Sequence, residues 1–237
     1  MASLLELQRA FEELRTQSLI DSDLENGTET VSKIILEHLD KESVEIEARL
    51  GYMGDSSFDS DIGLEFYQKI MIGLESCVDW DERTLTITTD YIDGNHRLTI
   101  ADQGTTRSCI HKTRLSNSDF EYENSPFDVR VSVSVEKPSN PSDFMRPLEK
   151  CLSRKKKRTT YRLGYWIFDL TEVQMKENSI VKKTFEFELE LDSRLCKTKN
   201  VNTIHIAHDM LLKIRDMVEM CEPADADEER NMSLISK

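Results

Sequence analysis

The sequence predicts an α+β fold in which about eight antiparallel strands, closed into a sandwich or a barrel, lie between flanking helices. Three observations lead there. Residues 84–191 are dominated by strand-like alternation punctuated by turn signals. The segments before and after show helical spacing of apolar residues. Two strand-like runs at opposite ends, Val44-Glu45-Ile46-Glu47-Ala48-Arg49-Leu50 and Phe185-Glu186-Phe187-Glu188-Leu189-Glu190-Leu191, carry glutamate on alternate residues.

In chain order, Leu4, Leu7, Phe11 and Leu14 form one stripe of an amphipathic helix over 3–18. Asp21 to Thr28 reads as a polar break, followed by a short helix from about Thr30 to Leu39. The first glutamate strand follows, then a loop over 54–60 and helical spacing from Ile62 to Val78. Strands at 84–91 and 96–101 flank the hairpin signal Asp93-Gly94-Asn95. A turn at Asp102-Gln103-Gly104 leads to a strand over 107–115. Residues 128–136 alternate cleanly, with Asp128, Arg130, Ser132, Ser134 and Glu136 opposite four valines. A short helix is expected over 142–152, then strands at 156–165 and 167–175 with a bulge or bend at Gly164. After the second glutamate strand, Ala207, Leu211, Ile214 and Val218 face inward from a helix over 202–221. These boundaries make a domain of residues 1–221, with a helical region 1–40, a strand core 43–192 and a closing helix. Residues 222–237 read as an acidic tail or linker.

At 237 residues the chain can bury a real core, yet 32% of it is charged. A fold with wet, charged sheet faces has such a composition. The apolar faces are then needed against the helices, so the charged faces can turn inward around a wet tunnel. The net charge of −14 argues against non-specific coating of nucleic acid but not against a local basic pocket. The five cysteines are scattered and form no CxxC pair, which suits reduced thiols in an intracellular protein. Charged residues from Glu6 to Arg15 exclude a signal peptide, and no stretch reaches membrane-spanning length.

An antiparallel sheet with one wet face also shows alternating glutamates, so either run alone is ordinary. Arg154-Lys155-Lys156-Lys157-Arg158 alone is a solvated basic run or a nuclear localisation signal. Together they suggest more. Carboxylates on one strand face suit a hard divalent cation, and arginines and lysines suit phosphate oxygens. Both in one cavity are what metal-dependent phosphoanhydride cleavage requires. The five histidines show no ligand spacing, and no GxxxxGK[ST] or HxE motif supports a P-loop or zinc mechanism.

The ordered motifs Val-Glu-Ile-Glu (44–47), Asp-Val-Arg-Val-Ser-Val-Ser-Val-Glu (128–136), Arg-Lys-Lys-Lys-Arg-Thr-Thr-Tyr (154–161), Phe-Asp-Leu-Thr-Glu-Val (168–173) and Glu-Phe-Glu-Leu-Glu-Leu (186–191) resemble the metal-dependent RNA 5′-triphosphatases of fungal and DNA-virus mRNA capping systems. These belong to the triphosphate tunnel metalloenzymes. The resemblance implies an eight-stranded antiparallel tunnel and hydrolysis of the γ-phosphate of triphosphate-ended RNA. It implies Mg²⁺ or Mn²⁺ bound by Glu45, Glu47 and Glu190, with Glu186 and Glu188 beside them. It assigns the phosphate grip to Arg97, Lys112, Lys156 and Arg158, with Arg154 nearby. Glu136 would orient or deprotonate the attacking water, and Asp169 and Thr171 would brace the site. A downstream guanylyltransferase domain is expected, and the virion or host cytoplasm is the compartment if the chain is viral.

The chain departs from the pattern at Ile167, where fungal members often carry Arg, so one basic contact is either missing or replaced by Arg162. His96 and Arg114 remain alternatives to Arg97 and Lys112. Two rival functions stay open: a tunnel hydrolase acting on tripolyphosphate or nucleoside triphosphates, and a non-catalytic β-rich interaction domain.

Overall fold

A computed structural model describes residues 22–221 except 56, 103, 105–106, 122–124, 178–179 and 200. The expected helix over 3–18 and the acidic tail lie outside the described residues. Helix α1 (Ser22–His38) leads into β1 (Val44–Met53), the two-residue β2 (Phe58–Asp59) and α2 (Gly63–Ser76). Then come β3 (Glu82–Asp93), β4 (His96–Ala101), β5 (Arg107–Glu121), β6 (Asp128–Pro138), β7 (Leu152–Leu163), β8 (Trp166–Glu177) and β9 (Ile180–Leu191). The short α3 (Ser193–Lys199) and the longer α4 (Thr203–Glu219) follow.

The strands pair antiparallel in the order β2-β1-β6-β5-β4-β3-β7-β8-β9, and β1 also pairs with β9. That last pairing closes eight long strands into a barrel, so no long strand is left as a free edge. Closure runs through the register Glu47↔Glu190, Ala48↔Leu189 and Arg49↔Glu188.

The apolar faces point out of the barrel rather than into it. Ile46, Ala48 and Leu50 of β1, Val129, Val131 and Val133 of β6, and Phe187 and Leu189 of β9 are fully buried. They join one core with Ile70 of α2, Ile35 of α1, and Met210, Leu211 and Ile214 of α4. The side chains of opposite parity therefore face the lumen.

Four local expectations need correction. The helix before β1 starts at Ser22, not near Thr30. Gly27 lies so close to α4 that an added Cβ would sit 3.0 Å from Leu211 Cδ1, so packing holds this polar turn in the helix. Of the two readings of Gly164, the bend holds and the bulge does not. The glycine takes the first of two loop positions between the paired Leu163 and Trp166 at φ +58, as a type II′ hairpin turn requires. The expected helix over 142–152 is two 3₁₀ turns, Pro141–Asp143 and Leu148–Lys150. Pro147 cannot continue a helix, and the N–H groups of Met145 and Arg146 donate instead to the Asp93 carboxylate. Finally, β5 runs to Glu121 because a bulge between Arg114 and Ser116 absorbs one residue and restores the inward parity.

Candidate active site

β1 and β9 are neighbours only through barrel closure, and that closure assembles the carboxylates. Glu45, Glu47, Glu188 and Glu190 line a lumen cavity of about 240 Å³. Arg97 of β4, Lys112 of β5, and Arg154, Lys156 and Arg158 of β7 line it too. Every basic residue expected at the phosphate grip is thus in the lumen, and His96 is not. His96 Nδ1 lies 2.9 Å from Ser139 Oγ, and its ring packs on His111. Arg114 lies 4.0 Å from Glu47 and donates to Asn117.

The acids divide into two sets. Glu186 and Glu188 are occupied by arginines: Arg154 donates to both oxygens of Glu186 at 2.6 and 2.8 Å. Arg49 and Arg158 reach Glu188 at 2.6 and 2.7 Å. Burial alone would raise the Glu188 carboxyl, but these two guanidiniums outweigh it and hold the pKa well below the usual range. Glu45, Glu47 and Glu190 are less well matched. Burial works against ionised Glu45, yet Lys112, in direct contact, wins and lowers its pKa. At Glu47 burial wins over Arg49 and the pKa rises. Glu47 Oε1 is buried without a hydrogen-bond partner. Glu190 has no ion pair among the described residues. Its carboxyl is pushed up to about 8 by burial and by repulsion from Glu45, Asp169, Glu47 and Glu188.

This donor set fits a hard divalent cation. It is all oxygen, it includes an orphaned buried carboxylate oxygen, and it carries excess negative charge. Among the described residues no three acidic, His or Cys groups already converge at ligand distance. Lys112 instead lies among Glu45, Glu47 and Glu136, at 4.0 Å from Glu47 and 3.3 Å from Glu136.

Arg158 is held on three sides. Its Nε donates to Thr171 Oγ1 at 2.9 Å, one Nη to Asp169 at 2.5 Å and the other to Glu188 at 2.7 Å. Thr160 also donates to Asp169 at 2.5 Å. Asp169 and Thr171 therefore orient the guanidinium that their neighbours on β7 present. Lys156 is paired with Asp90 at 2.7 Å, and Thr99 donates to the same carboxyl at 2.7 Å. Burial, then the Arg158 and Arg154 charges, lower the Lys156 pKa despite Asp90. Glu136, the register partner of Lys112, accepts from Arg97 at 2.8 Å and reaches the mouth of the lumen.

Sequence reasoning passed over Arg49, Asp90 and Thr99. Arg49 shares its face with Glu45 and Glu47, so strand parity was the available signal. Asp90 shares its face with Thr86 and Thr88, which also line the cavity. Ile167 does face the lumen and is the register partner of Arg162, whose side chain lies beside it at the mouth.

The profile of a protein family described as "mRNA capping enzyme, beta chain" matches residues 88–218. No curated protein matches this sequence. Among solved structures, S. pombe Pct1 RNA triphosphatase is similar with a TM-score of 0.67 at 20% identity, over 81% of this chain and 92% of that one. The same enzyme in complex with the Spt5 CTD gives 0.69 at 18% identity, over 86% and 95%. The Mimivirus capping enzyme triphosphatase gives 0.54 at 13% identity, over 82% and 97%. These likenesses bear out the expected fold, an eight-stranded tunnel with flanking helices.

Proposed function

The chain belongs to the family of mRNA capping enzyme beta chains, and from that premise we propose that it hydrolyses the γ-phosphate of triphosphate-ended RNA. The products are a diphosphate end and inorganic phosphate. One observation carries the reading: a closed lumen in which Glu45, Glu47 and Glu190 share a cavity with Arg97, Lys112, Lys156 and Arg158.

The terminal phosphate is gripped by Arg158 and Lys156 of β7, with Arg97 and Lys112 from the neighbouring side of the barrel. Arg158 is preorganised by Thr171, Asp169 and Glu188, and Lys156 by Asp90, so little reorganisation is needed as charge develops. Glu45, Glu47 and Glu190 would hold Mg²⁺ or Mn²⁺, which would supply charge neutralisation at the phosphate. Glu136 orients the attacking water and takes its proton. Positioning and charge neutralisation supply the catalysis, with no covalent enzyme intermediate. Glu186 and Glu188 act as supporting acids by fixing Arg154, Arg49 and Arg158. The diphosphate end is the substrate for a guanylyltransferase, in the same polypeptide or as a partner. The free, scattered cysteines support a reducing compartment inside the cell as its place of work; no described helix is long and apolar enough to cross a membrane.

The test is phosphate release from triphosphate-ended RNA with Mg²⁺ or Mn²⁺, repeated in EDTA. Metal-dependent release supports the reading. Release from tripolyphosphate or free nucleotides but not from RNA replaces it with the small-substrate tunnel hydrolase. No release with any metal replaces it with an interaction domain.

A further inference from the structure

A second hollow, of about 370 Å³, opens where β1 begins and β9 ends. Glu45 and Glu190 line both it and the inner cavity, so the two adjoin at these carboxylates. Its outer wall carries Arg162 at the end of β7 and Arg194 and Lys197 on α3. Arg194 is exposed and has no ion-pair partner among the described residues. Lys197 donates to the Lys41 carbonyl at 3.3 Å and has no carboxylate partner among the described residues. Arg162 is held loosely, 3.5 Å from Glu82 and 3.7 Å from Asp192. The lining also holds Glu45, Glu136, Glu190 and Asp192, but Lys112 pairs with Glu45 and Arg97 with Glu136, which leaves Arg194 and Lys197 as cations with no carboxylate partner among the described residues.

The backbone of the same rim is strained. Ser43 is the one non-glycine residue with positive φ, +56, among the described residues. Its carbonyl accepts the Glu136 N–H at 3.0 Å, which ties the strained turn to the carboxylate at the mouth. Strain of this kind gathers at binding sites.

Among the described residues the lining contains no aromatic ring, so these residues offer no platform for stacking a base. Guanidinium and ammonium groups suit phosphate oxygens instead. We propose that this vestibule binds the RNA backbone beyond the first nucleotide through its phosphodiester groups, and so selects RNA over free nucleotides. The proposal rests on the reading of the chain as an RNA triphosphatase. With the terminal phosphate in the inner cavity, a longer chain leaves through the hollow past Arg162, Arg194 and Lys197. A nucleoside triphosphate ends at its ribose and brings no further phosphate to these cations. Contacts of this type are indifferent to base identity, so the selection is for chain, not for sequence.

The experiment compares wild type with the Arg194→Ala/Lys197→Ala variant, changed at two exposed positions outside the inner cavity. Phosphate release is measured on triphosphate-ended RNA and on ATP, and binding on diphosphate-ended RNA and ADP. The RNA-over-ATP preference in kcat/KM should fall about tenfold, with the loss in KM. The log–log salt dependence of diphosphate-ended RNA binding should become shallower by about 1.4, at about 0.7 per lost contact on a single strand. An RNA-to-ATP ratio equal in wild type and variant, or an unchanged salt slope, overturns the vestibule and leaves the triphosphatase reading standing. A wild-type protein active on ATP but not on RNA, or on neither, overturns both.

Discussion

Glu47 of β1 and Glu190 of β9 are cross-strand partners in the short pairing that closes the barrel, and both line the lumen. Two like charges directly opposite on one sheet face destabilise the pair. The fold accepts that cost at its closure. The same pair supplies two of the three proposed metal ligands, so closing the barrel and building the site are one event.

Glu190→Gln should therefore separate activity from stability. Metal-dependent phosphate release should fall at least a hundredfold, because a ligand is lost. In EDTA the variant should melt no lower than wild type, because repulsion is relieved. A fully active Glu190→Gln protein would exclude Glu190 from the chemistry.

The pH dependence of that melting follows from the raised carboxyl. Glu190 has a folded pKa of about 8 against 4.5 for the free group. Its contribution to stability is fully present below the unfolded value and is lost as pH rises through the folded one. The neutral glutamine lacks this loss. In EDTA the melting gap between Glu190→Gln and wild type should be near zero at pH 4.5 and widen up to pH 8–9. A difference on the order of 1–2 kcal/mol corresponds to roughly 2–8 °C for a domain of this size. A gap that does not change with pH would show that folding leaves the Glu190 carboxyl unshifted.

Much of this site was legible because strand parity is a strong constraint. Once β1, β6 and β9 are strands, Glu45, Glu47, Glu136, Glu186, Glu188 and Glu190 can only share faces as they do. The strand-terminal pairing of β1 with β9 was not legible from local pattern, since it joins residues more than a hundred positions apart. Nor was the division of labour among the acids. Glu186, Glu188 and Glu190 look alike along the chain, and only the cross-barrel positions of Arg154, Arg49 and Arg158 tell them apart. The second half of β5 was hidden because the bulge at Arg114 to Ser116 breaks the alternation. Gly27 and the polar turn around it gave no sign of the α4 contact that makes them helical.

Thr171→Val should test whether Arg158 must be oriented as well as present. The change keeps side-chain shape and removes one acceptor, leaving Arg158 Nε unpaired on that side. Turnover should fall about tenfold, and stability by about 1 kcal/mol. Arg158→Ala should be far harsher. It removes the grip, costing on the order of 3 kcal/mol of barrier. It also strips Asp169 and Glu188 of a buried partner, a loss of about 3–5 kcal/mol in stability. If Thr171→Val turns over like wild type, the hydrogen bond is structural only.

Ser43 offers a test of the strained rim. Glycine adopts positive φ freely, whereas a β-branched residue there is costly. Ser43→Gly should melt higher than Ser43→Val by the equivalent of about 2 kcal/mol. Equal melting of the two would mean that the turn relaxes in solution.

The orientation of the final strand can be read from two neighbouring positions. Phe187 is fully buried on the outer face, against the helices, and Glu188 lies on the lumen face. Phe187→Ala should cost roughly 3–5 kcal/mol of stability, since an aromatic ring leaves a close-packed core. At a temperature where the variant remains folded, its turnover should stay within a few-fold of wild type, because the lumen face is untouched. Glu190→Gln on the same strand should do the reverse in both assays. An orthodox barrel with apolar residues inside would make Phe187 the lumen residue and exchange these outcomes. Finding Phe187→Ala inactive yet undiminished in stability would therefore refute the inside-out arrangement on which the site depends.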